Sequence, residues 1–281
     1  MNKNLKELYK FLDQDTGFED VTTQALIEPG LMIKARIISN QDGVAAGVNL
    51  ISRFIKEFDI NIKEKKSDGS RLKAGDTVLK LEGDAATILT LERTILNLIM
   101  KMSAIATATS QMVKNARSTN PNVIIAGTRK TTPGLQFFEK QAIRTGGGDT
   151  HRYRLDDAVL IKDNHLAVVG DVPLAIEKAR EYASFTKKIE IEVENLKDAL
   201  EAAEAGADII MLDNMSVEDI ESVLKTLNDK NLKDKVLIEI SGGINLDNIA
   251  EYANTGIDII SSGYITHSAG VLDMSLEISG F

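Results

Sequence analysis

Six short apolar runs recur through the second half of the chain. They are VIIAG (123–127), AVLIK (158–162), IEIEV (189–193), DIIML (208–212), VLIEI (236–240) and DIISS (258–262). Between them lie stretches with helical spacing, such as VPLAIEKAREYA, NLKDALEAAEAGA and VEDIESVLKTLN. Strands rich in Ile and Val, separated by helices, predict repeated βα units and a parallel sheet buried on both faces. Six such units with short connections fit an α/β barrel of the TIM type better than a doubly wound sheet.

The first third follows another pattern. Leu5, Leu8, Tyr9 and Leu12 recur at helical spacing, and Asp20-Val21-Thr22-Thr23 reads as a turn or cap. MIKARIIS (32–39) alternates like a half-buried strand, and VAAGVNLISRFIKEF returns to helical spacing. From Ala85 to Arg117 there is neither Gly nor Pro, and apolar residues occupy more than one face, so this helix is expected between layers. The domain boundary is placed inside or just after it. That gives a smaller N-terminal α/β domain over 1–108 and the barrel over 109–267, with the tail 268–281 expected to pack back on the first domain.

Composition narrows the function. Acidic residues outnumber basic ones by 42 to 33, for a net charge of −9, which argues against nucleic-acid or anionic-membrane binding. There is no cysteine, so thiol nucleophiles, disulfides and Cys-based metal sites are excluded. No apolar run reaches the roughly 18 residues of a membrane span, and the N-terminus is amphipathic, not signal-like. A soluble cytoplasmic protein is expected.

In a parallel barrel the chemistry collects where strands end. Thr128-Arg129-Lys130-Thr131-Thr132-Pro133-Gly134 follows the first run and Lys162-Asp163-Asn164-His165 the second. Glu192 lies within the third, Asp213-Asn214 follows the fourth, and Ser241-Gly242-Gly243 and Ser262-Gly263 follow the last two. A single polar strand end is usually a helix cap; six in succession point to a site. Arg129, Lys130, Arg152 and Lys162 stand at or near strand ends, with Lys140, Arg144 and Arg154 close in sequence. Such cations would repel one another unless an anion sat among them, which implies a multiply charged anionic substrate. Gly146-Gly147-Gly148 before Asp149-Thr150-His151-Arg152 reads as a flexible loop able to close on a ligand. Gly242, Gly243 and Gly263 with Ser241 and Ser262 suit a phosphate. Glu192 and Asp213 suit ribose hydroxyls or a metal-bound diphosphate, since Mg²⁺ takes few carboxylates beside substrate phosphates.

Gly127 to Gly134, Gly146 through Arg152, and Leu160-Ile161-Lys162-Asp163-Asn164-His165 together resemble quinolinate phosphoribosyltransferase. The resemblance extends to Glu19 through Thr23, Ala45-Ala46-Gly47, Leu91-Glu92-Arg93, Leu212-Asp213-Asn214, Ser241-Gly242-Gly243 and Thr266-His267-Ser268. It implies an N-terminal α/β sandwich domain joined to an open-faced barrel, in an obligate dimer with shared active sites; whether dimers assemble further into a hexamer stays open. It implies a pentosyltransferase that converts quinolinate and 5-phosphoribosyl 1-diphosphate into nicotinate mononucleotide, diphosphate and CO₂, with Mg²⁺, in NAD biosynthesis. By position, Arg129, His151, Arg152 and Lys162 would hold the pyridine dicarboxylate, assisted by Lys130 and by Arg93 of the partner subunit. Lys130, Lys162, Glu192 and Asp213 would be catalytic. Glu192 and Asp213 would face the metal through substrate and water, and Ser241, Gly242, Gly243, Ser262 and Gly263 would cradle the 5′-phosphate. Gln136 stands where family members commonly carry an arginine, and Arg154 or Ala104 where they carry a glycine. Two other classes remain open on the residues alone: an aldolase with Lys162 as a Schiff-base lysine, and a non-catalytic sensor of phosphorylated metabolites.

Overall fold

The computed structural model describes residues 3–278. Expectations for residues 279–281 lie outside the described residues. The chain divides into two compact units. The first comprises 1–108, 137–146 and 269–281, and the second 109–136 and 147–268. The segment 137–146, expected within the barrel region, therefore groups with the first unit. Its helix Gln136–Thr145 buries Phe138, Ala142 and Ile143, and the Phe138 ring packs at a tilt against Phe11 of that same unit.

In the first unit, strands β1 (Met32–Ser39), β2 (Gly43–Val44), β3 (Asn61–Lys65), β4 (Arg71–Leu72) and β5 (Thr77–Asp84) precede the long helix Ala85–Arg117. In the second unit, β6 (Ile124–Ala126), β7 (Val159–Ile161), β8 (Ile189–Val193), β9 (Ile209–Asp213), β10 (Leu237–Ser241) and β11 (Ile259–Ser261) alternate with helices, and β12 (Met274–Ile278) closes the described chain. An antiparallel sheet of order β12-β1-β5-β3 forms the first unit's frame. In β1, Ile33, Ala35 and Ile37 are buried while their neighbours Met32, Lys34 and Arg36 are exposed, as alternating side chains require. VAAGVNLISRFIKEF is helical only from Val48 to Lys56, because Gly47 before it adopts φ 83° and Gly43–Val44 pairs with β4.

In the second unit the six strands are all parallel, in the order β6-β11-β10-β9-β8-β7. β6 and β7 stand at opposite ends of that order, which matches the open-faced arrangement expected. Side chains alternate across it: Ile191, Val193, Ile210, Leu212, Ile238 and Ile240 are buried on one face. Glu190 and Glu192, Met211 and Asp213, and Glu239 and Ser241 share the other, with Glu192 and Glu239 in register with Met211 and Ser241 with Asp213. Helix starts are secured locally. Asp171, Asn195 and Ser216 accept backbone N–H groups of Leu174, Asp198 and Asp219, so these three helices carry their own caps.

Candidate active site

At the strand ends of the second unit lies a cavity of about 440 Å³, within the range typical of small-molecule sites. It is lined by Thr128, Arg129, Lys130, His151, Arg152, Lys162, Glu192, Asp213 and Ser241, together with Leu160, Met211, Glu239 and Ser261. Eight residues expected at the site thus meet in one cavity. Gly242, Gly243, Ser262, Gly263 and Arg93 are not among its lining.

Each element places its residue for a local reason. Thr128 Oγ1 accepts the Lys130 amide at 3.0 Å, and Thr266 Oγ1 donates to the Lys130 carbonyl at 2.7 Å, which fixes the turn after β6. Lys162 begins the helix Asp163–Val169, and its amide donates to His165 Nδ1 at 2.9 Å. That contact ties down the chain beside Lys162 while the Lys162 ammonium pairs with Glu192. A cavity lined by Arg129, Lys130 and Arg152 is not the charge-poor setting that a Schiff-base lysine wants, which speaks against that role.

Asp213 and Asn214 do not cap the following helix, because Ser216 does. Asn214 instead adopts φ 53° and donates to Asp213 Oδ2 at 2.6 Å. A Cβ on Gly242, whose φ is 98°, would fall 2.2 Å from Asn214 Oδ1, so glycine is required there by both conformation and space.

Charges shape the cavity. Burial and neighbouring Arg129 lower the pKa of Arg152, which leaves it charged but costly to hold beside a second cation. Burial and Glu192 push the Asp213 carboxyl upward, opposed by Lys162, Asn214 and Lys130. His151 Nε2 lies 3.3 Å from a carboxylate oxygen of both Glu190 and Glu239. Burial lowers the His151 pKa, but the hydrogen bonds and charges of these two carboxylates outweigh it, and it is pushed up to about 10. Nδ1 accepts the Arg152 amide at 2.9 Å, which opposes a second ring proton. A neutral hydrogen bond is worth about 1 kcal/mol net, less than the pull of two buried carboxylates, so the ring takes that proton at the expense of the amide contact.

Other expectations are corrected by the structure. Lys140 is fully buried within the first unit, and Arg144 is exposed on the same unit's helix Gln136–Thr145, so neither joins the cation cluster. The segment after the glycines is not a loose loop: Asp149 forms a parallel bridge with Ala126, its amide donating to Ile125 and its carbonyl accepting from Gly127. Ser262 Oγ is used within the fold, donating to the Ile244 carbonyl at 2.6 Å and accepting the Tyr264 amide at 3.1 Å. Its neighbour Ser261 lines the cavity instead. Gln136 and Arg154 line a smaller cavity together with Arg129; Gln136 donates to the Tyr153 carbonyl at 2.7 Å, and Arg154 pairs with Asp156 at 3.2 Å.

Residue-by-residue reading missed Glu190, Glu239 and Ser261. The acids sit inside β8 and β10, where alternation with Ile makes them look like solvent-facing positions of a half-buried strand. A parallel strand has no solvent-facing side in the middle of a sheet; that conflict was the available signal.

A parallel α/β sheet with a cation-lined cavity at its strand ends defines an enzyme-like receptor for a small polyanion. Residues 20–103 match the model of the quinolinate phosphoribosyl transferase N-terminal domain, and residues 105–277 that of its C-terminal domain. A probable nicotinate-nucleotide pyrophosphorylase (carboxylating) of Methanothermobacter thermautotrophicus is 56% identical over 266 residues, 95% of each chain. The nicotinate-nucleotide pyrophosphorylase (carboxylating) of Rattus norvegicus is 38% identical, over 90% of this chain and 84% of that one. The crystal structure of NadC from Streptococcus pyogenes superposes with a TM-score of 0.91 at 40% identity, over 98% of this chain and 95% of that one. The chain belongs to the quinolinate phosphoribosyltransferase family.

Proposed function

We infer that this chain transfers the phosphoribosyl group of 5-phosphoribosyl 1-diphosphate to quinolinate with decarboxylation, giving nicotinate mononucleotide, diphosphate and CO₂ in NAD biosynthesis. Family membership supplies the reaction. The observation that carries it to this site is the convergence of Arg129, Lys130, Arg152 and Lys162 on one cavity in a chain of net charge −9. Both substrates are multiply anionic, and cations held together against their own repulsion are what such substrates need.

Arg129, His151, Arg152 and Lys162 are assigned to the two carboxylates, and Lys130 to assisting them. The pyridine nitrogen attacks ribose C1 as the C1–O bond to diphosphate breaks through an oxocarbenium-like state. Glu192 and Asp213 face the ribose, where fixed negative charge favours developing positive charge. The alkylated ring nitrogen then accepts the electron pair left when the C2 carboxylate departs as CO₂, and C2 takes up a proton. Positioning and fixed charge account for this chemistry without an organic cofactor.

Glu192 and Asp213 fit Mg²⁺ held through substrate and water: two neighbouring carboxylates, each beside a lysine, leave most coordination to phosphate oxygens and water. When bound, Mg²⁺ neutralises charge on the diphosphate leaving group. Ser241, Gly242, Gly243, Ser262 and Gly263 are assigned to the 5′-phosphate; Ser241 in the cavity lining and the φ of 98° at Gly242 support this for β10, while Ser262 is engaged in the fold.

The reading extends to a homodimer in which Arg93 serves the partner's site, in the cytoplasm; among the described residues no helix is long and apolar enough to cross a membrane. Mixing inactive Arg93→Ala and Lys162→Ala subunits should restore part of the activity, and confirmed subunit exchange with no recovery would remove the shared site. The reaction itself is tested by supplying pure protein with quinolinate, 5-phosphoribosyl 1-diphosphate and Mg²⁺. Nicotinate mononucleotide and CO₂ in equal amounts are expected; neither product would refute the assignment.

A further inference from the structure

Beneath the cavity lie two carboxylates that the reaction as described does not use. Glu190 of β8 is 2% exposed and Glu239 of β10 fully buried, on strands separated by β9. Oε2 of each meets His151 Nε2 at 3.3 Å, and among the described residues Oε1 of each has no hydrogen-bond partner. Burying an ion costs several kcal/mol, and well-packed apolar residues in place of a buried ion pair are often neutral or stabilising. Ile or Val would therefore serve the sheet at least as well, and the acids call for another explanation.

The His151 ring supplies one. Its backbone is left-handed, with φ 52°, and its amide donates to Asp149 Oδ1 at 2.7 Å. Its Nδ1 approaches the Arg152 amide at 2.9 Å, and Arg152 Nη1 donates to the Ala158 carbonyl at 3.0 Å. The ring thus stands between the floor acids and Arg152, its neighbour in the chain, whose guanidinium lines the cavity. We propose that Glu239, together with Glu190, is a positioning residue for quinolinate recognition. The two acids fix the His151 ring from below through Nε2, so that His151 and Arg152 meet the substrate carboxylates as one oriented unit. This rests on the reaction assigned above.

The groups facing the ring are Glu190, Glu239 and the Arg152 amide, with Asp149 on the His151 amide and Arg129 beside Arg152. Lys130, Lys162, Glu192 and Asp213 line the rest of the cavity. The two floor acids push the His151 pKa up to about 10, while burial and then Glu239 raise that of Glu190 itself. With one of them neutralised, the ring should titrate nearer the ordinary histidine value of about 6.5.

The test uses the full-length Glu239→Gln protein, which keeps the side-chain volume and removes the charge. At pH 8 the KM for quinolinate should rise at least about tenfold, equivalent to about 1.4 kcal/mol, while the KM for 5-phosphoribosyl 1-diphosphate stays the same. The quinolinate defect should shrink at pH 6, where the ring is charged again. An unchanged quinolinate KM, or equal losses for both substrates at every pH, would overturn the proposal.

Wild-type turnover separates the two levels. No turnover of quinolinate by wild type defeats the functional assignment, whereas normal wild-type turnover with an unaffected variant defeats the positioning role alone. The His151 ring resonance of wild-type protein gives a second measurement should Glu239→Gln not fold. It should hold its charged position from about pH 6 to 8.5, and titration near 6.5 would overturn the proposal.

Discussion

The rim and the floor of the cavity are built on opposite principles. At the rim, Arg129 and Lys130 are exposed and Lys162 keeps 42% of its side chain in water beside Glu192. Water screens these charges until an anion displaces it, so holding them open costs little. On the floor, Glu190 and Glu239 are shielded permanently and stand only because His151 lies between them. Rim charges face the cavity, and floor charges are committed to orientation. Substitutions at the rim should accordingly act on affinity with the fold intact, and those deeper in the site should act on the arrangement.

Truncation of a rim cation offers the largest effect. Arg152→Ala or Lys162→Ala should weaken quinolinate binding by roughly 2–5 kcal/mol, the usual cost of removing one partner of a desolvated charge pair, with little change in thermal midpoint. Calorimetric titration reads it, and near-normal affinity would take that residue out of the site. Gly242→Ala should do the reverse, lowering the thermal midpoint through a strained φ and the approach to Asn214, at about 1–3 kcal/mol. An unshifted midpoint would mean that the turn after β10 can relax.

Away from the cavity the contrast should disappear. Hydrogen bonds from Thr23 lower the Asp20 pKa, with a further one from Thr90. A depressed carboxyl stabilises above its unfolded pKa and loses that contribution as pH falls through the folded value. Asp20→Ala should therefore lower the thermal midpoint at neutral pH, and its difference from wild type should vanish in acid; a difference independent of pH would contradict the cap. Arg154→Ala should be the smallest change, within about 0.5 kcal/mol in stability, because its partner Asp156 is equally exposed. A large loss of quinolinate affinity in that variant would extend the rim into the second cavity.

How much was legible divides along the same line. The six parallel strands could be read from runs such as VIIAG and DIIML because burial on both faces leaves a near-continuous apolar signature. Rim cations could be read because strand ends in such folds carry the chemistry. Lys140 could not be separated from them: four residues beyond Gln136 it enters a buried helix face, and proximity in sequence to Arg129 says nothing of direction. Glu239 was hidden for the opposite reason, since an acid alternating with isoleucine is the ordinary mark of a half-exposed strand. Ser261, which lines the cavity, lies one residue before Ser262, and a single residue along a strand reverses the face.

The central claim is that the cation-lined cavity is built around two carboxylates. It is tested most directly by comparing kcat/KM for quinolinate with that for nicotinate, which lacks the C2 carboxylate. A site built around a charged substrate group should reject the analogue lacking it by roughly 10⁴-fold or more, and phthalate, which keeps both carboxylates without the ring nitrogen, should bind without reacting. Comparable turnover of nicotinate and quinolinate would show that Arg129, His151, Arg152 and Lys162 serve the phosphates, and the account would fail.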